Sequence, residues 1–310
     1  MGDFRQLGYE VIEGECLRSN TKHVSAPKEQ RAAELMQWLL DDTLDAIAPP
    51  WGGELAIELL PLLDYDAIQR AKPKWLFGFS DVSTMTATIT SKCGWATAHC
   101  ANFMQLIATE TDGLTRGTLK ALQLDQGASF VQQSSEGYQE ESVDFAYSVD
   151  ATLQKTGATR WRSLSGSSDP IRFEGRLLGG CLDTIAHLSG TDYFYPEALS
   201  LACQGEPVIV YFENAELSPT ALVRTLYGMR FRGVFDRVSG VLIGRSSAVA
   251  VDSAGFSYQE ALASAFAGAH FPVVFDADIG HQPPNMTLIN GCYATVVVEG
   301  GKGRVEQCFV

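Results

Sequence analysis

The chain lacks a surplus of basic residues. It has 23 lysines and arginines against 37 aspartates and glutamates, which gives a formal net charge of −14 over 310 residues. A strongly acidic protein is repelled by nucleic-acid phosphates and by anionic lipid headgroups, so we expect neither as its main partner. The residues AVILMFWYC make up 45% and the charged residues 19%. This composition is ordinary for a folded globular protein and argues against disorder.

The sequence also lacks any cysteine pattern typical of a metal site or a disulfide framework. Seven cysteines are scattered without a C-x-x-C pair or a histidine-cysteine cluster. We therefore expect reduced thiols, no metal and a cytoplasmic location. Residues 1–5 show no basic region followed by an apolar core, so no signal peptide is indicated. No apolar run approaches the length of a transmembrane helix.

The length and the pattern of the chain predict two α/β domains. A chain of 310 residues is long for one hydrophobic core. Short apolar runs alternate with helical patterns such as residues 28–40, which indicates a parallel sheet covered on both faces. We predict an N-terminal domain over residues 1–108 and a C-terminal domain over residues 170–310. Residues 109–169 are rich in Gln, Ser, Thr, Gly and Glu, and we expect them to connect the domains with some strand content, clearest at residues 144–149.

A candidate nucleophile lies at a strand-to-helix corner. An apolar run ends at Gly78, and Ser80 follows where the pattern changes from strand to helix. In α/β enzymes such a corner can hold a serine hydroxyl clear of the sheet, facing the helix N-terminus. The same pattern suits a serine that only caps the helix. The local sequence favours the cap, because the second glycine of the G-x-S-x-G elbow is missing.

The second half of the chain offers a carboxylate and a histidine at strand ends. Residues 207–214 are a strongly apolar run that ends in Glu213 and Asn214, and His281 lies in a loop after a later strand. Taken singly, Glu213 also suits a helix cap or the surface, and His281 a loop position with backbone partners. The glycine-rich residues 174–184 are predicted to be a turn leading into a helix. Further strands are predicted over residues 238–243, 272–276 and 293–298.

Several blocks of this sequence resemble the LD-carboxypeptidase family of serine peptidases. The blocks are residues 60–66, 73–74, 78–81, 211–214 and 280–288. They occur in the family's order of serine, glutamate and histidine, and the resemblance covers nearly the whole chain. Residues 174–185 and 233–240 look closer to the microcin C immunity branch than to the murein-recycling branch. The resemblance implies an N-terminal flavodoxin-like parallel-sheet domain, a β-rich C-terminal domain of the LD-carboxypeptidase type, and a homodimer.

The family pattern implies a role for each matched residue. Ser80 would be the nucleophile, His281 the general base that takes its proton, and Glu213 the group that orients the imidazole. The backbone N–H groups of Asp81 and Gly53 are the family-like candidates for an oxyanion hole. With all three blocks in register, the triad interpretation outweighs the helix-cap and surface alternatives.

Four further residues are candidates for substrate contacts. Trp161 lies between two arginines and suits planar or anionic ligands, although such a residue more often packs in a core. Arg176 is a candidate for binding a substrate carboxylate. Cys181 stands where many relatives carry asparagine, and we interpret His99 as structural or as lining the site. The family normally begins with a strand upstream of what is Met1 here, so we expect this chain to start late or to lack that strand.

The resemblance implies a serine peptidase or amidase without a cofactor. Its substrate would be a peptidyl or aminoacyl group joined to a nucleotide-like moiety. One alternative is a murein LD-carboxypeptidase that releases a terminal D-amino acid. Another is a catalytically silent binding protein on the same fold, suggested by Cys181 and by the expected loss of the first strand.

Overall fold

The structure is a computed structural model that describes residues 2–106, 112–141 and 153–309. The predicted alternation at residues 144–149 lies outside these ranges. The described helices are α1 (Gly2–Gln6), α2 (Lys28–Leu40), α3 (Tyr65–Arg70), α4 (Val82–Cys93), α5 (Phe103–Leu106), α6 (Gly113–Ala121), α7 (Leu182–Ile185), α8 (Pro196–Ala202), α9 (Pro219–Phe231) and α10 (Tyr258–Ala265), with short 3₁₀ helices at Glu15–Leu17, Ala56–Leu62 and Ala186–Leu188. The described strands are β1 (Ala46–Ile47), β2 (Trp75–Gly78), β3 (Thr97–His99), β4 (Ser129–Gln133), β5 (Gly137–Tyr138), β6 (Gly157–Ala158), β7 (Arg162–Ser163), β8 (Ile171–Cys181), β9 (Val208–Glu213), β10 (Val238–Gly244), β11 (Val273–Ala277), β12 (Leu288–Asn290), β13 (Tyr293–Glu299) and β14 (Lys302–Cys308).

A four-stranded sheet carries the corner with Ser80. Its order is β1-β2-β3-β12, with β1, β2 and β3 parallel and β12 antiparallel to β3. β12 comes from the C-terminal part of the chain, so both halves contribute to this sheet. β2 ends at Gly78 and α4 begins at Val82, which leaves Ser80 at the carboxyl edge of the sheet.

An eight-stranded sheet carries the other two candidate residues. Its order is β4-β14-β13-β8-β9-β10-β11-β7, and the central strands β8 to β11 are parallel. All six residues of β9 are buried, because a central parallel strand is covered on both faces. The edge strands β4 and β7 come from the predicted connecting segment. That segment therefore forms part of the sheet and does more than link two domains.

Helix α4 packs between the two sheets. Ten of its twelve residues are buried. Its Ser83 hydroxyl accepts a hydrogen bond of 2.9 Å from the backbone N–H of Cys181, at the end of β8. The register places Cys181 directly beside Glu213 of β9. The helix that follows Ser80 is therefore tied to the strand ends that present Glu213.

The prediction of a turn over residues 174–184 was wrong. These residues form most of the eleven-residue strand β8, followed by the short helix α7. A Cβ at Gly179 would lie 1.8 Å from the carbonyl oxygen of Tyr211, and one at Gly180 would lie 2.5 Å from Cβ of Ser83. Both positions need glycine because neighbouring elements approach closely, a role that a sequence pattern does not distinguish from a turn.

The predicted fold class is confirmed. The molecule is a mixed α/β protein with parallel strands in both larger sheets. The four strands predicted in the second half correspond to β9, β10, β11 and β13, whereas β14 was not predicted. The proposed domain boundaries stay a prediction. In the described part of the chain, no helix combines the length and the apolarity needed to cross a membrane.

Candidate active site

Ser80 occupies the turn between β2 and α4 with a left-handed backbone, at φ of 65°. Residues other than glycine rarely adopt this conformation, and such strain clusters at functional sites. Asp81 is the N-cap residue of α4, and its side chain makes no capping hydrogen bond. The hydroxyl of Ser80 instead lies 3.2 Å from Nε2 of His281. The local alternative, that Ser80 only caps the helix, is therefore wrong.

Glu213 and His281 complete a chain of hydrogen bonds that begins at Ser80. Glu213 is the last residue of β9 and is fully buried, and His281 lies in the loop after β11. Nδ1 of His281 lies 2.9 Å from Oε2 of Glu213. The ring of Phe79 packs edge-on against the imidazole, with 4.9 Å between the ring centroids. The structure thus brings together the three residues that the sequence analysis selected.

The electrostatics of Glu213 and His281 favour a charged pair. Burial alone would raise the pKa of a carboxyl group and lower the pKa of an imidazole. For Glu213 this burial is outweighed by the charge and hydrogen bond of His281, and its pKa is lowered. For His281 burial is likewise outweighed by Glu213, with smaller contributions from Asp183 and Glu216, and its pKa is raised. Each partner therefore stabilises the charged form of the other.

Two glycines that the sequence analysis did not select make room for Glu213. A Cβ at Gly280 would lie 2.6 Å from Oε2 of Glu213, and one at Gly244 would lie 2.8 Å from its Cβ. Gly280 also has φ of 107°, where a side chain is strained whatever the space. Gly280 is the first residue of the family block at residues 280–288 and directly precedes His281, which were the sequence signals for it. No sequence signal could have identified Gly244.

The two residues predicted to form the oxyanion hole, Asp81 and Gly53, lie beside Ser80. The Asp81 carboxylate accepts hydrogen bonds from the backbone N–H of Ala56 at 2.8 Å and from the Thr84 hydroxyl at 3.2 Å. Burial raises the pKa of Asp81. A Cβ at Gly53 would lie 3.4 Å from Oδ2 of Asp81, and one at Gly52 would lie 2.7 Å from Cβ of Ser80. The glycine turn, Gly52–Gly53, thus packs directly against Ser80. The oxyanion hole itself stays a prediction.

The predictions for Trp161 and Arg176 were wrong. Trp161 is 1% exposed and donates a 2.9 Å hydrogen bond from Nε1 to Asp278, so it is a packing anchor and cannot stack on a ligand. Arg176 pairs with Glu206 and donates to the carbonyl of Gly291 at 3.0 Å. It precedes Cys181 by five residues along β8, roughly 16 Å at the rise of a strand. Arg176 therefore lies far along β8 from Cys181, the residue that pairs with Glu213 of β9.

His99 and Cys181 are both buried next to the hydrogen-bonded chain of Ser80, His281 and Glu213. His99 is 1% exposed, with Nδ1 3.4 Å from the Ser83 hydroxyl, and burial lowers its pKa to about 4. Cys181 is 2% exposed, with Sγ 3.6 Å from Oδ2 of Asp183. Burial, followed by the charges of Glu213 and Asp183, raises the pKa of Cys181 well above its usual value. The structural interpretation of His99 fits this placement. The idea that either residue contacts substrate was wrong.

Among the residues that the structure describes, no group of three or more His, Cys, Asp or Glu side chains is placed to hold a metal ion. The site consists instead of a strained serine, an imidazole and a buried carboxylate at the carboxyl ends of strands from two sheets. This is the arrangement of a serine hydrolase. The LD-carboxypeptidase N-terminal domain matches residues 2–100, and the LD-carboxypeptidase C-terminal domain matches residues 174–296. The chain belongs to the LD-carboxypeptidase family and is a serine peptidase or amidase.

Named relatives place the chain near the microcin immunity proteins of this family. The microcin C7 self-immunity protein MccF of Escherichia coli is 26% identical over 289 residues, which are 92% of this chain and 80% of MccF. A crystal structure of an MccF-like protein from Bacillus anthracis superposes with a TM-score of 0.81 at 21% identity, covering 99% of this chain and 89% of that one. MccF in complex with aspartyl sulfamoyl adenosine superposes with a TM-score of 0.77 at 22% identity, covering 100% and 90%.

The murein branch of the family shares the same fold. A muramoyltetrapeptide carboxypeptidase from Oxalobacter formigenes superposes with a TM-score of 0.74 at 18% identity, covering 99% of this chain and 92% of that one. At such low identities these superpositions establish the fold and do not choose between the substrates of the two branches.

Proposed function

We propose that this protein hydrolyses an amide bond with Ser80 as nucleophile, His281 as general base and Glu213 as the residue that orients the imidazole. The substrate we propose is an aminoacyl or peptidyl group joined to a nucleotide-like moiety. The observation that carries the proposal is the pair of contacts at His281, 3.2 Å to the Ser80 hydroxyl and 2.9 Å to the Glu213 carboxylate.

The geometry supports a proton transfer at each step. With Nδ1–H donating to Glu213, the lone pair of Nε2 faces the Ser80 hydroxyl and accepts its proton as the oxygen attacks the carbonyl carbon. The imidazolium that forms is stabilised by the buried carboxylate and then protonates the leaving amine. Water, deprotonated in turn by His281, releases the acyl group from Ser80. The enzyme returns to its starting state.

The glycine turn supplies the second requirement of this chemistry. The tetrahedral intermediate carries a negative oxygen that needs fixed hydrogen-bond donors. We assign these donors to the backbone N–H groups of Asp81, at the start of α4, and of Gly53. The close approach of Gly52 to Ser80 supports this assignment.

Two observations support a conjugate with a planar moiety as the substrate. MccF, which has been solved with aspartyl sulfamoyl adenosine bound, is similar over nearly the whole chain. Trp51 is 41% exposed and directly precedes Gly52 in the sequence, so we propose its ring as a candidate surface on which a base could stack. Arg176, which the sequence suggested for binding the carboxylate of a murein substrate, lies far from Ser80.

Substrate turnover by matched proteins tests the proposal. The full chain and its Ser80→Ala variant are incubated with aspartyl sulfamoyl adenosine and with an L,D-linked tetrapeptide, and products are followed by mass spectrometry. We expect the full chain to release aspartate and sulfamoyl adenosine, and Ser80→Ala to be slower by at least about 10⁴-fold. We expect Trp51→Ala to raise KM for the conjugate by about tenfold, the value of one stacked base.

The other results correspond to the two alternatives. Release of a D-amino acid from the tetrapeptide alone would contradict the conjugate and move the protein to the murein branch. Binding of either compound with equal, negligible turnover by both proteins would contradict the enzymatic mechanism and leave a binding protein.

A further inference from the structure

The loop that carries His281 is held by the side chain of one buried arginine. Arg245 follows β10 and is 3% exposed. Its guanidinium donates to the carbonyl of Gln282 from Nε at 3.1 Å and from Nη2 at 2.8 Å, and to the carbonyl of Pro284 at 3.0 Å. Gln282 is the residue directly after His281. The arginine thus fixes the loop backbone next to the imidazole.

A fully buried aspartate completes this arrangement. Asp278 accepts a hydrogen bond of 2.9 Å from Nη1 of Arg245 and one of 2.9 Å from Nε1 of Trp161. It also accepts bonds from the backbone N–H and the hydroxyl of Ser135. The carbonyl of Asp278 accepts from the backbone N–H of Met286 at 2.8 Å, which closes the loop at its base. The charges of Arg245 and Asp278 are therefore buried and paired with each other. The loop that carries His281 begins at Asp278.

Residues of the predicted connecting segment cover the outer side of the same loop. The ring of Tyr138 lies 4.6 Å from the guanidinium of Arg245. The backbone N–H of Gln139 donates to the carbonyl of Pro283 at 2.9 Å, and the amide of Gln282 donates to the carbonyl of Glu140 at 3.0 Å. The segment that supplies Ser135 and Trp161 to Asp278 thus also contacts the loop directly.

We propose that Arg245 and Asp278 are positioning residues for the reaction, which hold the His281 loop so that the imidazole spans Ser80 and Glu213, and that Trp161 completes their hydrogen bonds. The proposal rests on the proposed function, because it takes His281 as the base. In this proposal Trp161 acts on the reaction only indirectly, by donating a hydrogen bond to Asp278. It does not stack on a ligand, as its sequence context had suggested.

The chemistry of the two side chains explains why this pair suits the task. The planar guanidinium has five donors in a rigid fork. Four of them reach two carbonyls and a carboxylate at once, which a lysine ammonium cannot match in geometry. Movement of a catalytic group by about 1 Å can cost about 10²-fold in rate. An anchor that fixes the backbone next to His281 therefore controls the 3.2 Å contact to Ser80.

Two variants and one control test the proposal in the full chain. Arg245→Met combined with Asp278→Leu removes both charges, so that neither is left buried and unpaired. Trp161→Phe keeps a ring and removes one donor. Arg162→Met is the control, because Arg162 also pairs with a carboxylate, Asp276, and lies 4.3 Å from an aromatic ring, but has no contact with the His281 loop among the hydrogen bonds and ion pairs of the described residues.

Two measurements read the outcome. The rate of covalent labelling of Ser80 by a fluorophosphonate reports activation of the serine without any assumed substrate. NMR titration of the His281 imidazole reports its contact with Glu213 and needs no activity, so it separates this proposal from the proposed function. Asp183, Glu216 and His99 are the other titratable groups that act on this imidazole, and none of them is altered by the variants.

We expect labelling to be at least about tenfold slower in the double variant and about two- to fivefold slower in Trp161→Phe. We expect the pKa of His281 to fall toward its ordinary value in both, since the imidazole loses its alignment with Glu213. Arg162→Met should match the parent protein in both measurements. A folded double variant with unchanged labelling and an unchanged His281 pKa would overturn the proposal. If the double variant does not fold, unchanged values in Trp161→Phe overturn it.

Discussion

The two sides of the site are built in different ways. The Ser80 side is local: Gly78 ends β2, Ser80 takes a left-handed backbone, and the backbone N–H of Ser83 closes the first turn on the Ser80 carbonyl at 2.9 Å. The His281 side depends on distant residues. Asp278 is bound by Ser135, 143 positions away, and by Trp161, 117 positions away. The backbone of Ser80 is thus set by its own corner, with Gly52 packed against it, whereas the position of His281 depends on residues that are far away in the sequence.

Substitutions on the Ser80 side and on the His281 side should therefore have different effects. A change at the corner acts first on Ser80 and its immediate neighbours. A change around the histidine acts through backbone position and through Glu213, so its effects on rate and on stability are coupled. Substitutions on the histidine side test the second half of this comparison.

The largest expected effect on the histidine side comes from Glu213→Gln. The substitution keeps the shape of the side chain but removes the charge that stabilises the imidazolium and selects its tautomer. We expect kcat to fall by about 10⁴-fold, as in other triads that lose this carboxylate. Glu206→Gln is the matched control and should leave kcat unchanged. It also removes a carboxylate, but one that pairs with Arg176 at the other end of β8. Equal kcat values for both variants would contradict the role of Glu213.

Gly280→Ala should combine a loss of stability with a loss of rate. The new Cβ would lie 2.6 Å from Oε2 of Glu213, at a residue with φ of 107°. We expect the free energy of unfolding to fall by about 1–3 kcal/mol and kcat to fall by about 10- to 100-fold. Chemical denaturation and initial rates measure the two effects.

Gly268→Ala isolates the backbone contribution in that experiment. Gly268 has φ of 73°, and nothing lies within 4 Å of its added Cβ. The substitution should cost about 1 kcal/mol of stability and leave kcat unchanged. If Gly280→Ala loses no more activity than Gly268→Ala, the close contact with Glu213 does not matter for the reaction.

The smallest expected effect is a shift in the pH profile. In the proposed mechanism His281 is a base only in its neutral form, and its pKa is raised by Glu213 despite burial. We expect kcat/KM to fall by about tenfold per pH unit below that pKa, with an acid limb above the ordinary value of about 6.5. In Glu213→Gln the residual activity should show this limb at lower pH. A limb at the same pH in both proteins would contradict the coupling of the two residues.

The sequence was informative where a feature is local or matches a family block. Ser80, Glu213 and His281 were selected on this basis, and β9 was predicted from its apolar run. The turn predicted over residues 174–184 failed because its glycines serve close contacts with other elements and not a reversal of the chain. Arg245 carried no sequence signal at all, since its partners are carbonyl groups whose positions depend on the fold.

The prediction of substrate contacts failed for a related physical reason. Trp161, His99 and Cys181 are residue types that occur both in binding sites and in cores, and their burial decides between the two. Burial depends on which elements pack together, so it could not be derived from neighbours in the chain. Trp51, beside the glycine turn, became a candidate only when its exposure was known.

In the proposed mechanism, a serine on one sheet is activated by a histidine and a glutamate on the other. Mass spectrometry of peptides after reaction with a fluorophosphonate tests it most directly, in the full chain and in a His281→Ala variant. We expect one adduct, on Ser80, which forms at least about 10³-fold more slowly in the variant. An adduct on another residue, or equal labelling of Ser80 in both proteins, would contradict the claim.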